Sequence, residues 1–364
     1  MKLLGPIVKT RIEIPNIYHE NISRMITPYY QRWILGILLL QALTVCAQTN
    51  TVYNETVVPR IRVIIDNDFG GDPDGLFQLA HHLLSPSVEI KGIIGSRNYE
   101  TGFYGSPSTA AFACTQANQL LSVMQLTGKI PVYEGGNFGL TDTKTPIASE
   151  GAKAIVCEAM REDTNMPLYV VCGGGLTSVA SAFLMEPGIA KKIILVWIGG
   201  GECRELAATD LAENNPEYNL GIDIKACQVV FNISDISIWQ VPRNTYRQAL
   251  YSYSELVYKI KQNGVVGKFL VEKIEDVMKR SNGSLGETYI LGDSPLVLLT
   301  AMQSPWSGDL SSSKYVISST PIVNDSGLYK ETTGNRQIRV YTSLDTRLMF
   351  DDMVAKLALL KIKN

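Results

Sequence analysis

The sequence predicts an α/β fold, a mostly parallel central β-sheet flanked by helices in a single domain. Three observations support this prediction. Apolar runs rich in β-branched residues alternate with segments of helical period along the chain. No tandem repeat or low-complexity linker interrupts that alternation. The chain has 364 residues, 45% of them hydrophobic, and is therefore long enough to bury a large core.

The elements follow one another in the order that β-α units require. Strands are predicted in the runs IRVIID, VEIKGII, IPVY, PLYVVC and KKIILVWI, and helical segments follow the first four at 75–84, 108–126, 151–161 and 177–185. Residues 246–280 are predicted to be helical, residues 311–341 to form short strands and turns, and residues 344–362 to form a last amphipathic helix. The long polar loops at 137–150 and 199–216 are of a kind that is commonly functional.

The N-terminal segment has the pattern of a secretory signal. Arg32 precedes an apolar run, which ends in Val45, Cys46 and Ala47. The run is shorter than the ~20 residues of a spanning helix, which disfavours a membrane anchor, and the size of Val45 disfavours lipidation of Cys46. We therefore expect a leader at 1–47, or one that begins at Met25, and a folded domain at 48–364. The mature protein is expected to be secreted or periplasmic, without stable membrane insertion.

Charge, cysteine and histidine content exclude several classes of function. The formal net charge of −2 gives no basic surface for nucleic acid. The cysteines after the leader show no C-x-x-C spacing, so buried free thiols are favoured over disulfides or a zinc site. His81 and His82 are the only histidines after the leader, and on one helix they point about 100° apart. We expect both to be partly solvated, and a nucleophile activated by histidine is hard to build.

An acidic turn follows the first predicted strand. Asp66, Asp68, Asp72 and Asp74 fall within the run DNDFGGDPD. Ligands of open parallel sheets bind beyond the carboxyl ends of the strands, which is where this turn lies. Carboxylates this close repel each other unless a cation is present, and hard oxygen ligands suit Ca²⁺ or Mg²⁺. Helix capping by Asp72 or Asp74 is the simpler alternative, but it explains one or two acids rather than four.

Three further stretches have the same character. The glycines of 173–175 turn a strand into a helix and would present main-chain carbonyl groups near Thr177; a phosphate cradle is the rival interpretation, but the lysine of a P-loop is absent. Glu217 and Asn219 precede a helical segment. Asp293 lies in the turn before an apolar helix, where a role as N-cap is an open alternative.

Together these stretches resemble the nucleoside hydrolase family, the inosine-uridine preferring type and its relatives. The family's D-x-D motif and the paired aspartates at the head of a helix are similar to Asp66, Asp68 and Asp74 in a longer loop. Its G-x-L-T-N segment resembles residues 174–178, its E-F-N-I-x-x-D-P-x-A segment resembles EYNLGIDIKA, and the aspartate of its late H-D-P-L element matches Asp293. The resemblance covers nearly all of residues 61–362.

The resemblance implies a Rossmann-like nucleoside hydrolase fold that binds one Ca²⁺, with Mg²⁺ the less favoured ion. It implies hydrolysis of the N-glycosidic bond of ribonucleosides, with Asp68 as the general base that deprotonates a metal-held water. The metal ligands carried over are Asp68, Asp293 and the main-chain carbonyl at Thr177. Gly75 stands where the family has its second paired aspartate, so Asp72 is the nearest substitute.

The same resemblance assigns ribose binding to Asp74, Asn98, Glu217 and Asn219. It also implies a homo-oligomer, a dimer or a tetramer, that acts on a small-molecule nucleoside. Gly292 stands where inosine-uridine preferring members have a histidine that helps to protonate the leaving base. Tyr246 and Tyr289 are candidates to replace it, although either one could be a core residue.

Two other functions remain open at this level. A sugar-binding protein, or a hydrolase of other glycosides, could keep the fold without nucleoside turnover, and Gly75 and Gly292 favour that alternative. A phosphoryl-transfer enzyme of the haloacid dehalogenase type is disfavoured. Phe69 and Gly70 stand where that group has threonine or valine, and no lysine follows a matching strand.

Overall fold

An eight-stranded sheet in the order β3-β2-β1-β4-β5-β6-β12-β9 forms the centre of the protein. The structure is a computed structural model that describes residues 56–202, 215–283, 286–303, 313–334 and 336–360. The strands are β1 (Ile61–Asn67), β2 (Val88–Gly95), β3 (Val132–Glu134), β4 (Leu168–Cys172), β5 (Ile193–Ile198), β6 (Ser237–Val241), β7 (Leu250–Ser252), β8 (Thr288–Ile290), β9 (Ser313–Ser319), β10 (Ile322–Val323), β11 (Tyr329–Lys330) and β12 (Gln337–Leu344). Strands β7 and β8 form one small antiparallel sheet, and β10 and β11 form another.

The central strands run parallel, and only the edge strand β9 is antiparallel to its neighbour β12. Strand β1 lies between β2 and β4, with Asp66 opposite Ile94 on one side and Cys172 on the other. Because parallel strands end at the same edge, the turns after β1, β2, β4 and β5 meet there. The fold class predicted from the sequence is confirmed.

Helices cover both faces of the sheet. They are α1 (Asp74–Leu83), α2 (Ala110–Val123), α3 (Glu150–Ala159), α4 (Thr177–Met185), α5 (Tyr218–Ile222), α6 (Ile224–Gln228), α7 (Arg243–Tyr246), α8 (Tyr253–Glu255), α9 (Gly264–Arg280), α10 (Pro295–Leu298) and α11 (Thr346–Leu359). Alternate residues of β1 enter opposite cores: Val63 and Ile65 pack with α1 and α2, whereas Ile64 packs with α3 and α4. Burial on both faces explains why the middle of β1, residues 63–65, is apolar without alternation.

The predicted helical span at 246–280 is wrong where a strand interrupts it, whereas residues 253–260 are helical as predicted. Residues Leu250–Ser252 pair as strand β7 with Thr288–Ile290, and helix α9 begins only at Gly264. The distant partner strand decides the conformation of this segment, and local periodicity does not reveal it. The last helix forms as predicted, and the side chain of Asp345 caps it by accepting a hydrogen bond from the Leu348 amide at 2.8 Å.

The prediction that the two histidines are partly solvated is also wrong. Every residue of α1 is buried, and His81 and His82 are both 0% exposed. His81 Nε2 lies 2.7 Å from Asp352 Oδ2, and His82 Nε2 lies 2.9 Å from Thr300 Oγ1. Burial lowers the pKa of both rings. The sheet and the neighbouring helices together cover α1, so its polar residues lie inside the protein.

The predicted leader at 1–47 and Cys203 lie outside the described residues. Within the described ranges, none of the helices has the length and apolar character needed to cross a membrane. The four cysteines in these ranges are free thiols: Cys172 and Cys227 are buried, Cys114 is half-buried and Cys157 is exposed. The expectation of buried thiols is therefore right for two of them and wrong for Cys157, on the outer face of α3.

Candidate active site

Carboxylates converge at the edge of the sheet where the parallel strands end. Asp68, Asp74 and Asp293 are buried, and Asp72 beside them is partly buried. The backbone amide of Asp293 donates to Asp74 Oδ2 at 3.1 Å, so the start of α1 is tied to the turn before α10. Four of the acids singled out from the sequence therefore share one pocket, which we call the acid cluster: Asp68, Asp72, Asp74 and Asp293.

Burial is the main cause that raises the pKa of each carboxyl in the acid cluster. For Asp68 and Asp74, repulsion by Asp293 and Asp72 raises the pKa further. For Asp293 the pKa is raised to about 8, although a hydrogen bond from Asn67 lowers it. Asp66 lies just behind the cluster, and its burial raises its pKa to about 7. The arrangement is costly for ionised carboxylates in the absence of a neutralising charge.

Asn67 lies inside the cluster and was not among the residues singled out from the sequence. It is 1% exposed, and its Nδ2 donates to Asp293 Oδ2 at 2.9 Å. A Cβ atom at Gly75 would lie 2.9 Å from the Asn67 amide, and one at Gly173 would lie 2.3 Å from Asn67 Nδ2. The amide therefore fits between two positions where only glycine leaves room.

The residues predicted to bind ribose surround the cluster. Glu217 Oε2 accepts hydrogen bonds from the Gly200 amide at 2.7 Å and the Leu220 amide at 3.0 Å, so it caps α5. Asn219 Nδ2 donates to the carbonyl oxygen of Ile198 at 2.8 Å and to that of Gly173 at 3.1 Å. These bonds fix both side chains to the ends of β4 and β5.

Asn98 differs from those two residues because its polar atoms are unused. It is 1% exposed, and neither its Oδ1 nor its Nδ2 has a hydrogen-bond partner. A Cβ atom at Gly71 would lie 2.8 Å from Asn98 Nδ2 and 3.1 Å from Asp68 Oδ2, so the amide and the carboxylate face the same turn. A buried amide with a free donor and a free acceptor is suited to a hydroxyl-bearing ligand.

Thr177 begins helix α4, and its side chain is already engaged. Thr177 Oγ1 donates to Asp223 Oδ2 at 2.7 Å, so its hydroxyl proton is used within the protein. The preceding glycine turn lies against the acids: a Cβ atom at Gly174 would lie 3.2 Å from Asp68 Cγ. The backbone of this turn therefore forms one wall of the pocket.

Two tyrosines donate to the acids. Tyr289 Oη donates to Asp72 Oδ1 at 2.6 Å, and Tyr246 Oη donates to Glu217 Oε1 at 2.9 Å. A Cβ atom at Gly292 would lie 3.4 Å from the Tyr246 ring and 3.3 Å from Asp74 Oδ2. Both tyrosines therefore belong to the pocket, and both hydroxyl protons are already shared with carboxylates.

An aromatic cluster surrounds Tyr218, the residue between Glu217 and Asn219, and it was not predicted from the sequence. The Tyr218 ring meets the Tyr99 ring edge-on at 4.8 Å, and Phe103 lies 6.2 Å from Tyr218. Burial raises the pKa of the Tyr218 hydroxyl, and the charges of Asp68 and Asp72 raise it further. The position of Tyr218 between Glu217 and Asn219 was the signal that could have revealed it.

Among the described residues, no group of three or more His, Cys, Asp or Glu side chains has the arrangement of a metal site by itself. A cation here would need oxygen atoms from other groups as well. The donor set contains such groups, namely the amide of Asn67 and the backbone of the glycine turn. It fits a hard cation, which prefers six or more oxygen ligands of mixed type.

This fold and site define an α/β protein with a buried acidic pocket for a small polar ligand at the strand ends. The chain belongs to the family of inosine-uridine preferring nucleoside hydrolases, whose model matches residues 63–351. Family membership, inferred above from the ordered motifs, is thus confirmed.

Individual relatives agree with that assignment. The chain is 26% identical over 202 residues to an inosine-uridine preferring nucleoside hydrolase of Crithidia fasciculata, which covers 50% of this chain and 58% of that protein. It is 26% identical over 182 residues to a uridine nucleosidase of Saccharomyces cerevisiae, covering 43% of this chain and 53% of that protein. The matched regions thus span somewhat more than half the length of these relatives.

Solved structures show the same fold. A plant nucleoside hydrolase superposes with a TM-score of 0.64 at 18% identity, covering 82% of this chain and 99% of that one. A purine-preferring ribonucleoside hydrolase from Gardnerella vaginalis gives a TM-score of 0.64 at 17% identity, covering 83% and 100%. Structural similarity at identities this low shows a common fold and does not show which substrate this chain binds.

Proposed function

We propose that the protein is an N-glycosyl hydrolase that splits a ribonucleoside and water into a free base and ribose. The observation that carries this proposal is the acid cluster beside Asn98, Glu217 and Asn219, at the strand ends of a chain in this family. Buried carboxylates and amides that face one pocket suit a sugar diol, whose hydroxyl groups both donate and accept hydrogen bonds.

Asp68 is the proposed general base. Its carboxylate is buried and faces the same turn as the Asn98 amide, which places a proton acceptor beside a group expected to bind ribose. Asp68 takes the proton of the attacking water as the bond between water oxygen and C1′ forms and the bond from C1′ to the base nitrogen breaks. The electron pair of the broken bond leaves with the base.

Asp74, Asn98, Glu217 and Asn219 hold the ribose. Asn98 offers a free donor and a free acceptor, whereas Glu217 and Asn219 are fixed by backbone contacts and provide a rigid wall. Rigid polar groups that orient the sugar and face the positive charge developing on it reduce the reorganisation needed in the transition state.

A divalent cation, Ca²⁺ in preference to Mg²⁺, is the proposed cofactor. Asp68, Asp72, Asp293 and the main-chain carbonyl at Thr177 would hold it. A bound cation supplies the positive charge that the buried carboxylates require and acidifies nearby water. The raised pKa values of the cluster and the unpartnered oxygen of Asn67 support this fit.

The first experiment is release of ribose from a panel of purine and pyrimidine nucleosides, measured with Ca²⁺ and with a chelator. Asp68→Asn is expected to lower the rate on the order of 100- to 10,000-fold, the usual contribution of a general base. The matched control is Asp142→Asn, which changes an exposed aspartate that caps a surface turn. The control variant is expected to keep full activity.

Folded wild-type protein that releases ribose from none of the nucleosides would contradict the proposal. The second candidate function, a sugar-binding protein or a hydrolase of other glycosides, would then gain support. Gly292 favours that alternative, because the position expected to aid departure of the base has no side chain. Binding of ribose or a nucleoside without turnover would identify the binding protein.

We also propose export and self-association. A mature chain that begins at Gln48 after expression in an exporting host, identified by intact mass, would support the leader at 1–47 and a secreted or periplasmic location. A dimer or tetramer is expected by light scattering of the purified protein. A full-length monomer in the cytoplasm of that host would contradict both.

A further inference from the structure

Asn67 lies at the centre of the acid cluster, and it is not among the residues assigned above as ligands of the cation or of the ribose. It follows Asp66 at the end of β1, and its Nδ2 donates to Asp293 Oδ2 at 2.9 Å and to Gln78 Oε1 at 3.3 Å. Its Oδ1 has no hydrogen-bond partner although the residue is 1% exposed. A buried carbonyl oxygen without a partner destabilises the folded protein, and a ligand that binds this oxygen would recover that cost.

A buried chain of hydrogen bonds fixes which end of the Asn67 amide is the oxygen. Thr300 Oγ1 must donate to the Leu296 carbonyl oxygen, at 2.5 Å, because that atom only accepts. Its hydroxyl proton is then used, so His82 Nε2 donates to Thr300 Oγ1 at 2.9 Å. His82 Nδ1 is left as an acceptor for Gln78 Nε2, and Gln78 Oε1 accepts from Asn67 Nδ2. Asn67 Oδ1 is therefore the unpartnered atom.

Two glycines make room for this amide. A Cβ atom at Gly75 would lie 2.9 Å from both Oδ1 and Nδ2 of Asn67. A Cβ atom at Gly173 would lie 2.3 Å from Asn67 Nδ2 and 2.5 Å from Asp293 Oδ2. Gly75 is also the position where the resemblance led us to expect a metal-binding aspartate. The amide of Asn67 thus stands where the side chain of that aspartate would begin.

We propose that Asn67 Oδ1 is a ligand of the divalent cation and takes over the role of the carboxylate that Gly75 lacks. The inference rests on the proposed function, because it adds a ligand to that site. An amide oxygen is a hard, neutral ligand that Ca²⁺ accepts. The exchange moves the ligand from helix α1 to strand β1, and it lowers the negative charge of the site by one.

The test is calorimetric titration of the full chain with Ca²⁺ alone, without nucleoside. Asn67→Ala is expected to raise the Kd on the order of 10-fold or more, since even an outer contact of a metal site contributes that much. Gly75→Asp alone is expected to weaken binding too, because its side chain collides with the Asn67 amide. The double variant has both the space and the carboxylate, so we expect its affinity to return at least to that of the wild type.

Two further variants keep the test decisive if Asn67→Ala folds poorly. Asn67→Asp keeps an oxygen at the proposed ligand position but loses the Nδ2 donor that faces Asp293 and Gln78. It is expected to bind Ca²⁺ more tightly than Gly75→Asp, which adds the same charge but collides with the ligand amide. Gln240→Leu is the matched control, since Gln240 is also a buried amide with an unpartnered oxygen. Its Nε2 donates to the Gly199 carbonyl oxygen and to Tyr329 Oη rather than to acids. The control is expected to keep the wild-type Kd.

The outcomes separate this inference from the proposed function. If the wild-type protein binds Ca²⁺ and the Kd is unchanged in Asn67→Ala, the ligand role of Asn67 is overturned and the hydrolase proposal stands. Binding by Asn67→Asp that is no tighter than binding by Gly75→Asp has the same meaning. If the wild-type protein binds no Ca²⁺, both the ligand role of Asn67 and the proposed cation cofactor are overturned. Recovery of Ca²⁺ affinity in the double variant supports the proposal that Asn67 takes over the role of a carboxylate at position 75. If Asn67 were purely structural, a carboxylate on helix α1 would not restore what its removal costs.

Discussion

Glu217 shows how one side chain can join the backbone to the pocket. It accepts hydrogen bonds from two backbone amides and, through Oε1, from the hydroxyl of Tyr246 at 2.9 Å. Burial raises the pKa of Glu217, and these three donors counteract that effect. Its negative charge therefore depends on Tyr246 as well as on the helix that it caps.

We expect Tyr246→Phe to weaken nucleoside binding. Glu217 would lose one donor inside the protein, with a cost of about 1–3 kcal/mol in the free energy of unfolding. The KM for nucleosides should rise several-fold, because a less ionised Glu217 is a weaker acceptor for a ribose hydroxyl. Steady-state kinetics and urea denaturation measure the two effects.

The matched control is Tyr253→Phe. Tyr253 Oη donates to Glu275 Oε1 at 3.2 Å between α8 and α9, so the same chemical change occurs outside the pocket. An equal rise of the KM in both variants would show that the Tyr246 hydroxyl has no specific role at the site.

At the scale of residues, the sequence reveals acids better than amides. Four carboxylates within nine residues are conspicuous, because repulsion between them requires an explanation. Asn67 stands among them but carries no charge, and its importance depends on Gly75, Gly173 and Asp293, which lie on other segments. A contact between such distant segments cannot be predicted from a local sequence pattern.

Helix α1 is the element on which the site depends most. It begins at Asp74 in the acid cluster, it is buried along its whole length, and Gln78 and His82 follow on one face. Those two residues connect Asn67 to Thr300 and hold the amide in place. A helix buried on all sides would ordinarily be apolar throughout, so its polar residues indicate an internal hydrogen-bond chain.

His82 should make stability depend on pH. Burial lowers its pKa in the folded protein well below 6.5, whereas the unfolded chain takes up a proton near that value. The unfolded state thus binds more protons at low pH, and the contribution of His82 to stability, complete above pH 6.5, is lost as the pH falls below it. Relative to His82→Gln, the wild type should lose up to about 1.4 kcal/mol per pH unit. Urea denaturation between pH 7 and 5 measures the difference.

His81→Gln is the comparison for that experiment. His81 is equally buried, but its bond to Asp352 offsets part of the lowering of its pKa. We therefore expect a smaller difference in slope for His81→Gln. Identical pH profiles for the wild type and His82→Gln would show that His82 does not titrate between the folded and unfolded states.

Elements with strong local patterns could be predicted, and those defined by partners could not. Helix α4 has the predicted bounds, Thr177–Met185, because a glycine turn starts it and an apolar period continues it. Strand β7 is three residues long and exists through its pairing with β8, about 40 residues later. The burial of α1 likewise depends on helices that its own sequence does not specify.

In the whole molecule, the acids oppose folding when no cation is bound. The pKa of Asp66 is raised to about 7 and that of Asp293 to about 8, from a value of 3.8 expected when unfolded. Between those values the folded state retains protons that the unfolded chain has released. The free energy of unfolding of the metal-free protein should therefore fall as the pH rises through this window.

Stabilisation by Ca²⁺ is consequently expected to be larger at pH 8 than at pH 5.5. The cation pairs with ionised carboxylates, and its binding releases the protons that they hold at lower pH. The rise of Tm on adding Ca²⁺, against a chelator, measures this effect at each pH. Sodium chloride at matched ionic strength is the control for simple screening. A Ca²⁺ effect that does not change with pH would contradict a site built from these acids.

The bond between Asn67 and Asp293 also has a consequence for biosynthesis. The two residues are 226 positions apart, and contacts between such distant segments are slow to form because a long loop must close first. A chain that emerges N-terminus first presents Asp66 to Asp74 long before Asp293 is available. Metal uptake would then report that the last third of the chain has docked, which makes the ion a marker of completed folding rather than a template for its early steps.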